Sequence, residues 1–347
     1  MINLFTIEEI KQKKIGTLID RNLLLIKTIL IFIILGCVGF KSNNWTIQIQ
    51  LIPFYVSLII FGLPHGAADH LCMWGLIKKK SWYLRCLSIF GYLIISMLYL
   101  LVWMQFPLVA TLFFLLITIY HWGRADTFYS AIINNHSSLK RYTLLAITHT
   151  LMRGCLPIIL PGYLNETIYH AFLTDLSSYR SNYISFNLIF DNEYFLFISI
   201  FLIFLHYTLS LIISFKNSKS EIIFDFFETS LLVTWFISLP VIWSVGFYFV
   251  FWHGFRHSLR LMAYDNLGSQ SLKNNNKRLY VKRWTELTGL ITIISILGLV
   301  ILFKISSGQS YLYSNFLVIL MVGISILTLP HCLLVEIMDR NYSKLVK

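Results

Sequence analysis

Residues 252–257 read WHGFRH, inside an otherwise apolar run, GFYFVFWHGFRHSLRLM. On a helix, positions i and i+4 share one face, so His253 and His257 can present two imidazoles to one point. A zinc-protease helix supplies two metal ligands at this spacing. Ionisable residues within lipid are costly and face a bundle interior, where they are functional by default.

Three further clusters put histidine in apolar surroundings: GLPHGAADH (62–70), YHWGRAD (120–126) and LPHCLLVE (329–336). They add His65, His121 and His331 as candidates. Neutral imidazole suits Zn, Cu, Fe and Ni. Four imidazoles on a six-coordinate metal leave two positions open, which fits ferrous iron with dioxygen and a substrate. Zinc favours four-coordination, and a closed four-histidine zinc site is structural. Metal-bound histidines donate their other N–H to a carboxylate or carbonyl, and Asp69 and Asp126 can accept. Asp69 shares a face with His65 if the helix continues, whereas His70 falls about 140° away. Arg153, in RGCLP, needs a partner, with Asp69 or Asp126 as candidates. His149, four residues before it, can support the site from behind. His136 and His170 are expected in loops and His206 in packing.

These residues need a scaffold, and composition names its class. The 347 residues are 57% hydrophobic and 13% charged, with mean hydropathy +0.70. Soluble domains carry roughly 25% charged residues. Apolar runs of transmembrane length recur along the chain, in continuous blocks rather than the alternation of a β-barrel. The expected fold is an all-α polytopic transmembrane bundle, one integral-membrane domain over 1–347 with residues 1–21 cytoplasmic. Apolar length gives about ten spans: 22–40, 48–69, 82–104, 108–128, 142–161, 194–214, 226–240, 242–262, 285–305 and 313–335. The seventh and eighth join closely around Leu239 and Pro240, so nine is also possible.

Orientation follows from lysine and arginine, which favour cytoplasmic loops. With the N-terminus inside, the outer segments collect only Lys41, Arg180 and Lys304. Both termini are therefore expected in the cytoplasm, in a multi-pass protein of the cell membrane. The four histidine clusters then share one depth, the cytoplasmic halves of spans two, four, eight and ten. The net charge of +12 lies mostly in loops and suits membrane lipid head groups rather than nucleic acid. Five cysteines without a CxxC pair argue against a disulfide framework. KQKK followed by a long apolar stretch reads as a retained first helix. Aromatic-rich walls, 16% aromatic overall, suit a lipid-dissolved substrate.

In the order GLPHGAADH, YHWGRAD, RGCLPIILP, WHGFRHSLRL and LPHCLLVE, the motifs resemble the Brp/Blh family of membrane β-carotene 15,15′-dioxygenases. The resemblance runs from about residue 50 to 340. It implies a multi-helix membrane enzyme holding a non-haem Fe(2+), which cleaves the central double bond of β-carotene with O2 to give two all-trans retinal. Retinal is the chromophore of microbial rhodopsins, so delivery to a rhodopsin is a possible partnership. Carried over by motif, the ligands are His65, His121, His253 and His257, with His331 and Glu336 in supporting places. YHWGRAD stands where a common family form reads YHFGQAD, which is expected to bring the charge of Arg124 near the site.

Other classes remain open. A membrane di-iron desaturase or hydroxylase uses HxxxH plus repeated HxxHH boxes; this chain has one HxxxH and no HxxHH. A haem carrier, or a transporter with a histidine-lined path, would use the histidines without this chemistry.

Overall fold

The structure is a computed structural model that describes residues 47–76, 81–133, 136–164, 166–177, 192–306 and 314–346. Secondary structure among them is helical, with no strand. The expected first span, 22–40, lies outside the described residues. Among the described residues, seven helices are long and apolar enough to cross a membrane: Leu51–Leu71, Trp82–Gln105, Pro107–Ala131, Thr143–Tyr163, Glu193–Ile213, Lys277–Ile301 and Val318–Arg340. Large apolar side chains point outward along them, among them Phe204, Ile212 and Leu290. That surface suits lipid, which neither rewards nor penalises its burial.

The chain enters through α1 (Ile47–Ser57), a π-helical stretch (Leu58–Gly62) and the single turn α2 (Leu63–Ala67). The helix breaks at Ala68 and restarts as α3 (Asp69–Leu76). Helices α4 (Trp82–Gln105) and α5 (Pro107–Phe128) form a tight hairpin at Phe106. Pro107 opens α5, where a missing N–H costs nothing, and the Tyr99 hydroxyl donates to the Ala110 carbonyl at 2.9 Å across the hairpin. A second π-helical stretch (Tyr129–Ile133) and α6 (Ser137–Arg141) lead into α7 (Thr143–Leu164). Helix α8 (Glu166–Ser177) follows.

Residues Asn192–Ser238, α9, are helical throughout, yet they do not form one rod. The Tyr207 hydroxyl donates to Asp225 at 2.9 Å and accepts from the Thr229 hydroxyl at 2.7 Å. Eighteen residues of straight helix would separate Tyr207 from Asp225 by about 27 Å. The element therefore folds back on itself as two arms; the first, over the expected 194–214, is among the seven long apolar helices, and the second, over the expected 226–240, is not.

The next segment holds the opening motif. It comprises α10 (Val241–Tyr248), a third π-helical stretch (Phe249–Gly254) and α11 (Phe255–Tyr264). The expected segment 242–262 is thus helical but interrupted, and it is not among the seven long helices. Asp265 caps α12 (Asn266–Lys273) by accepting from the Gly268 N–H at 2.9 Å, an ordinary N-cap. Helix α13 (Lys277–Ser306) starts eight residues before the expected span. Its first turns are charged, and Glu286 pairs with Lys282 and Arg283 at i+4 and i+3, so the helix continues into water. Helix α14 (Ser314–Val346) carries Pro330 inside it.

Candidate metal centre

Five histidines from four segments converge. His65 stands on α2, His121 on α5, His253 in the third π-helical stretch, His257 on α11 and His331 on α14. The His65 ring lies 4.8 Å from His331, 5.3 Å from His257 and 5.7 Å from His253, centroid to centroid. His121 lies 4.9 Å from both His253 and His331. All five are buried.

The backbone is irregular where it carries these rings. Pro64 and Pro330 directly precede His65 and His331, and each removes a helical N–H. His65 follows one π-helical stretch and His253 lies inside another. Such widened turns concentrate at functional sites, and irregular backbone at membrane depth persists where it lines a buried site.

Ring nitrogens show what the cluster can hold. His65 donates from Nδ1 to the Phe61 carbonyl at 2.7 Å. His331 donates from Nδ1 to both oxygens of Asp69, at 2.8 and 2.9 Å. In both rings the Nε2 lone pair is left free. The Nε2 atoms of His121, His253, His257 and His331 are buried with no hydrogen-bond partner. One nitrogen each from His65, His121 and His331 lies within 4.8 Å of the others. Buried polar atoms without partners are rare unless an unseen ion or water serves them. Neutral imidazoles aimed inward fit a divalent transition metal. At His257 the polarity differs: Arg260 donates to Nδ1 at 2.8 Å and also holds Asp339 at 3.1 Å.

A second layer of buried charge braces α5, α7, α9 and α11. Arg153 lies 2.9 Å from Asp126 and 3.8 Å from Asp225, and it donates to Glu228 at 2.5 Å. Arg256, between the two histidines of WHGFRH, donates to both Asp126 and Glu228. The indole N–H of Trp252 also reaches Glu228, at 3.0 Å. The arginine of the opening motif thus locks the histidine segment to its neighbours. Charges buried this deeply persist only when paired and hydrogen-bonded.

Several expectations need correction. Asp69 does not back His65, because the break at Ala68 turns it to His331 and to the Tyr92 hydroxyl at 2.9 Å. Asp126 meets arginines rather than a histidine. Of the two partners named for Arg153, the structure selects Asp126. His331 stands inside the ring of histidines. Glu336 lies off to the side, holding Tyr120 at 2.9 Å, Arg124 at 3.3 Å and Arg340 at 2.8 Å. Arg124 therefore spends its charge on Glu336. His149 is remote from the five. It joins His206 and Asp225 in a second buried cluster, bonding Thr127 at 2.8 Å and Asp225 at 3.1 Å. His206 bonds Thr148 at 3.0 Å and faces Asp225 at 3.5 Å. With both nitrogens of each ring engaged, this cluster is a packing lattice. His136 is buried beside Glu221 at 3.2 Å, and His170 is buried on α8 rather than in a loop.

Asp225 and Glu228 are not among the sequence-based candidates. The signal was available: SEIIFDFFETSLL puts two carboxylates three apart at the start of an apolar run, on one helical face.

His65, His121, His253 and His331 all open onto a cavity of about 770 Å³. Its walls are otherwise mostly apolar, with Leu58, Leu93, Phe114, Phe172, Val245 and Met321 among them. The arrangement is that of a small-molecule site, apolar with a few convergent polar groups.

Residues 56–339 match the sequence profile of the family described as beta-carotene 15,15′-dioxygenase. The chain is 27% identical over 294 residues to the probable beta-carotene 15,15′-dioxygenase Blh of Halobacterium salinarum, covering 83% of this chain and 84% of that one. A shorter match, 38% identical over 73 residues, covers 20% of this chain and 26% of a beta-carotene 15,15′-dioxygenase from an uncultured marine bacterium, 66A03. No solved structure matches. With four imidazoles opening onto an apolar cavity and a profile match across most of its length, the chain belongs to the β-carotene 15,15′-dioxygenase family.

Proposed function

We propose that the protein is an oxygen-dependent enzyme that cleaves the central 15,15′ double bond of β-carotene to give two all-trans retinal. It does so in the cell membrane, with ten spans and both termini in the cytoplasm. The observation that supports this reading best is the convergence of histidines on the wall of a large apolar cavity. Such a cavity takes a polyene from lipid without a polar group to anchor it.

The residues that would hold iron are His65, His121, His253 and His257, the set that the motifs carry. When bound, ferrous iron supplies dioxygen activation, and the chain supplies position and dryness. The apolar walls bury the polyene and keep water from the reacting carbons. The rings of His65 and His331 are held in one orientation by the Phe61 carbonyl and the Asp69 carboxylate. Arg256 fixes the segment that carries His253 and His257 against α5 and α9. Holding reactants in place is itself a large part of a rate enhancement. Retinal leaves as an apolar aldehyde into the bilayer, where a rhodopsin could take it up.

The test is expression in a β-carotene-producing bacterial host, beside a His253→Ala, His257→Ala double variant. Retinal and loss of orange colour with the wild type alone support the reading. Retained β-carotene with folded, iron-loaded wild type would overturn it.

A further inference from the structure

We infer that His331 is itself a metal ligand, with Asp69 and Tyr92 as the residues that hold it ready. The inference rests on the centre proposed above and extends its ligand set.

Three observations carry it. His331 and Asp69 are 262 residues apart in sequence, yet the His331 Nδ1 meets both carboxylate oxygens, at 2.8 and 2.9 Å. A carboxylate accepts, so Nδ1 carries a proton, and in the neutral ring the lone pair is then on Nε2. That Nε2 is buried and has no hydrogen-bond partner, and one His331 nitrogen lies within 4.8 Å of ligand atoms on His65 and His121. Finally, Asp69 is itself held. The Tyr92 hydroxyl donates to it at 2.9 Å from α4, so three separate helices fix the ring. A carboxylate behind a histidine is the ordinary support of a metal ligand, orienting the ring and raising its basicity. His257 lacks this preparation, because its Nδ1 faces a guanidinium that can only donate.

The helix break at Ala68 gains a purpose. An unbroken helix would put Asp69 under His65, on its own face. The turn there sends the carboxylate across to α14 instead.

The experiment is metal binding by purified, metal-stripped full-length protein, titrated with Fe(II) and, for its ligand-field absorption, Co(II). Compared with wild type, His331→Ala is expected to lower affinity tenfold or more and to change the Co(II) spectrum. Free imidazole, admitted through the adjoining cavity, is expected to restore both, which a purely structural defect would not allow. Wild-type affinity and an unchanged spectrum in His331→Ala would overturn the inference. If that variant does not fold, Asp69→Asn decides: a loss of about 10- to 100-fold in affinity supports the inference, and unchanged affinity overturns it. A wild type that takes up neither metal fails the proposed centre as a whole. A wild type that loads normally beside an unaffected variant fails His331 alone.

Discussion

Gly123 and Gly154 lie where α5 meets α7 backbone to backbone. A Cβ on Gly123 would fall onto the Thr150 carbonyl oxygen, and one on Gly154 onto the Ile119 carbonyl oxygen. Small residues permit such close helix approach in membranes. His121 sits two residues before Gly123, so this crossing sets its depth and angle. Gly154→Ala is expected to cost about 1–3 kcal/mol through overpacking and to lower retinal yield sharply. Gly298→Ala, where a Cβ meets nothing within 4 Å, is the control and should leave both unchanged. Retinal yield in the host and thermal unfolding in detergent read the two effects.

Arg153 joins Asp126, Asp225 and Glu228. Arg153→Met would bury carboxylates short of a counter-ion, with an expected loss of about 3–5 kcal/mol. Lysine offers a compact ammonium in place of a planar fork, so Arg153→Lys should recover only part of that loss. Thermal unfolding in detergent, with retinal yield alongside, checks both variants. An Arg153→Met protein as stable as wild type would show that the lattice holds nothing together.

Ile89 lines the cavity from α4 and is exposed at 37%. Ile89→Trp is expected to narrow the cavity without touching any ring of the centre. Iron content should stay at the wild-type level while retinal yield falls about tenfold, the size of effect one misfitted group in an apolar pocket produces. A fall in iron together with yield would place Ile89 in the support of the centre instead.

Asp265 lies beyond the spans, where Arg283 grips both of its oxygens at 2.8 Å. Burial pushes its pKa up, but hydrogen bonds from Arg283 and the Gly268 N–H outweigh this and hold it below the usual 3.8. A depressed carboxylate stabilises the fold above its unfolded pKa and loses that contribution as pH falls through the folded value. Amide protection factors in α12 should therefore stay level from neutral pH down to 3.8 and drop below it. Asp265→Asn should show the low protection already at neutral pH.

The histidines were legible because their types are rare in lipid and their spacing is helical. His65, His121, His253 and His257 all lie in the cluster, as does His331, for which the motif implies only a supporting place. Partners were harder to read. Helical periodicity puts Asp69 on the face of His65, and one non-helical residue, Ala68, redirects it. Periodicity also gives no warning of a π-helical stretch, which shifts every later side chain around the axis. The reversal within α9 was visible in apolar length alone, since FKNSKSE interrupts two greasy runs. Glu336 failed for a different reason. The shared motif LPHCLLVE suggests a place for it beside His331, but five helical positions turn it well away from that face, toward Tyr120 and Arg124.

The arginine–carboxylate lattice also says something about how the chain is made. In order of synthesis its members are Asp126, Arg153, then Asp225 and Glu228, then Arg256. The signs alternate: negative, positive, negative, positive. Each newly delivered helix therefore brings the charge that the waiting ones lack, and α11, the last of these four to be made, closes the lattice in the segment that carries His253 and His257. The lattice thus closes before α14 brings His331 to the centre, and a chain stopped before Arg256 would leave Glu228 without one of its two guanidiniums.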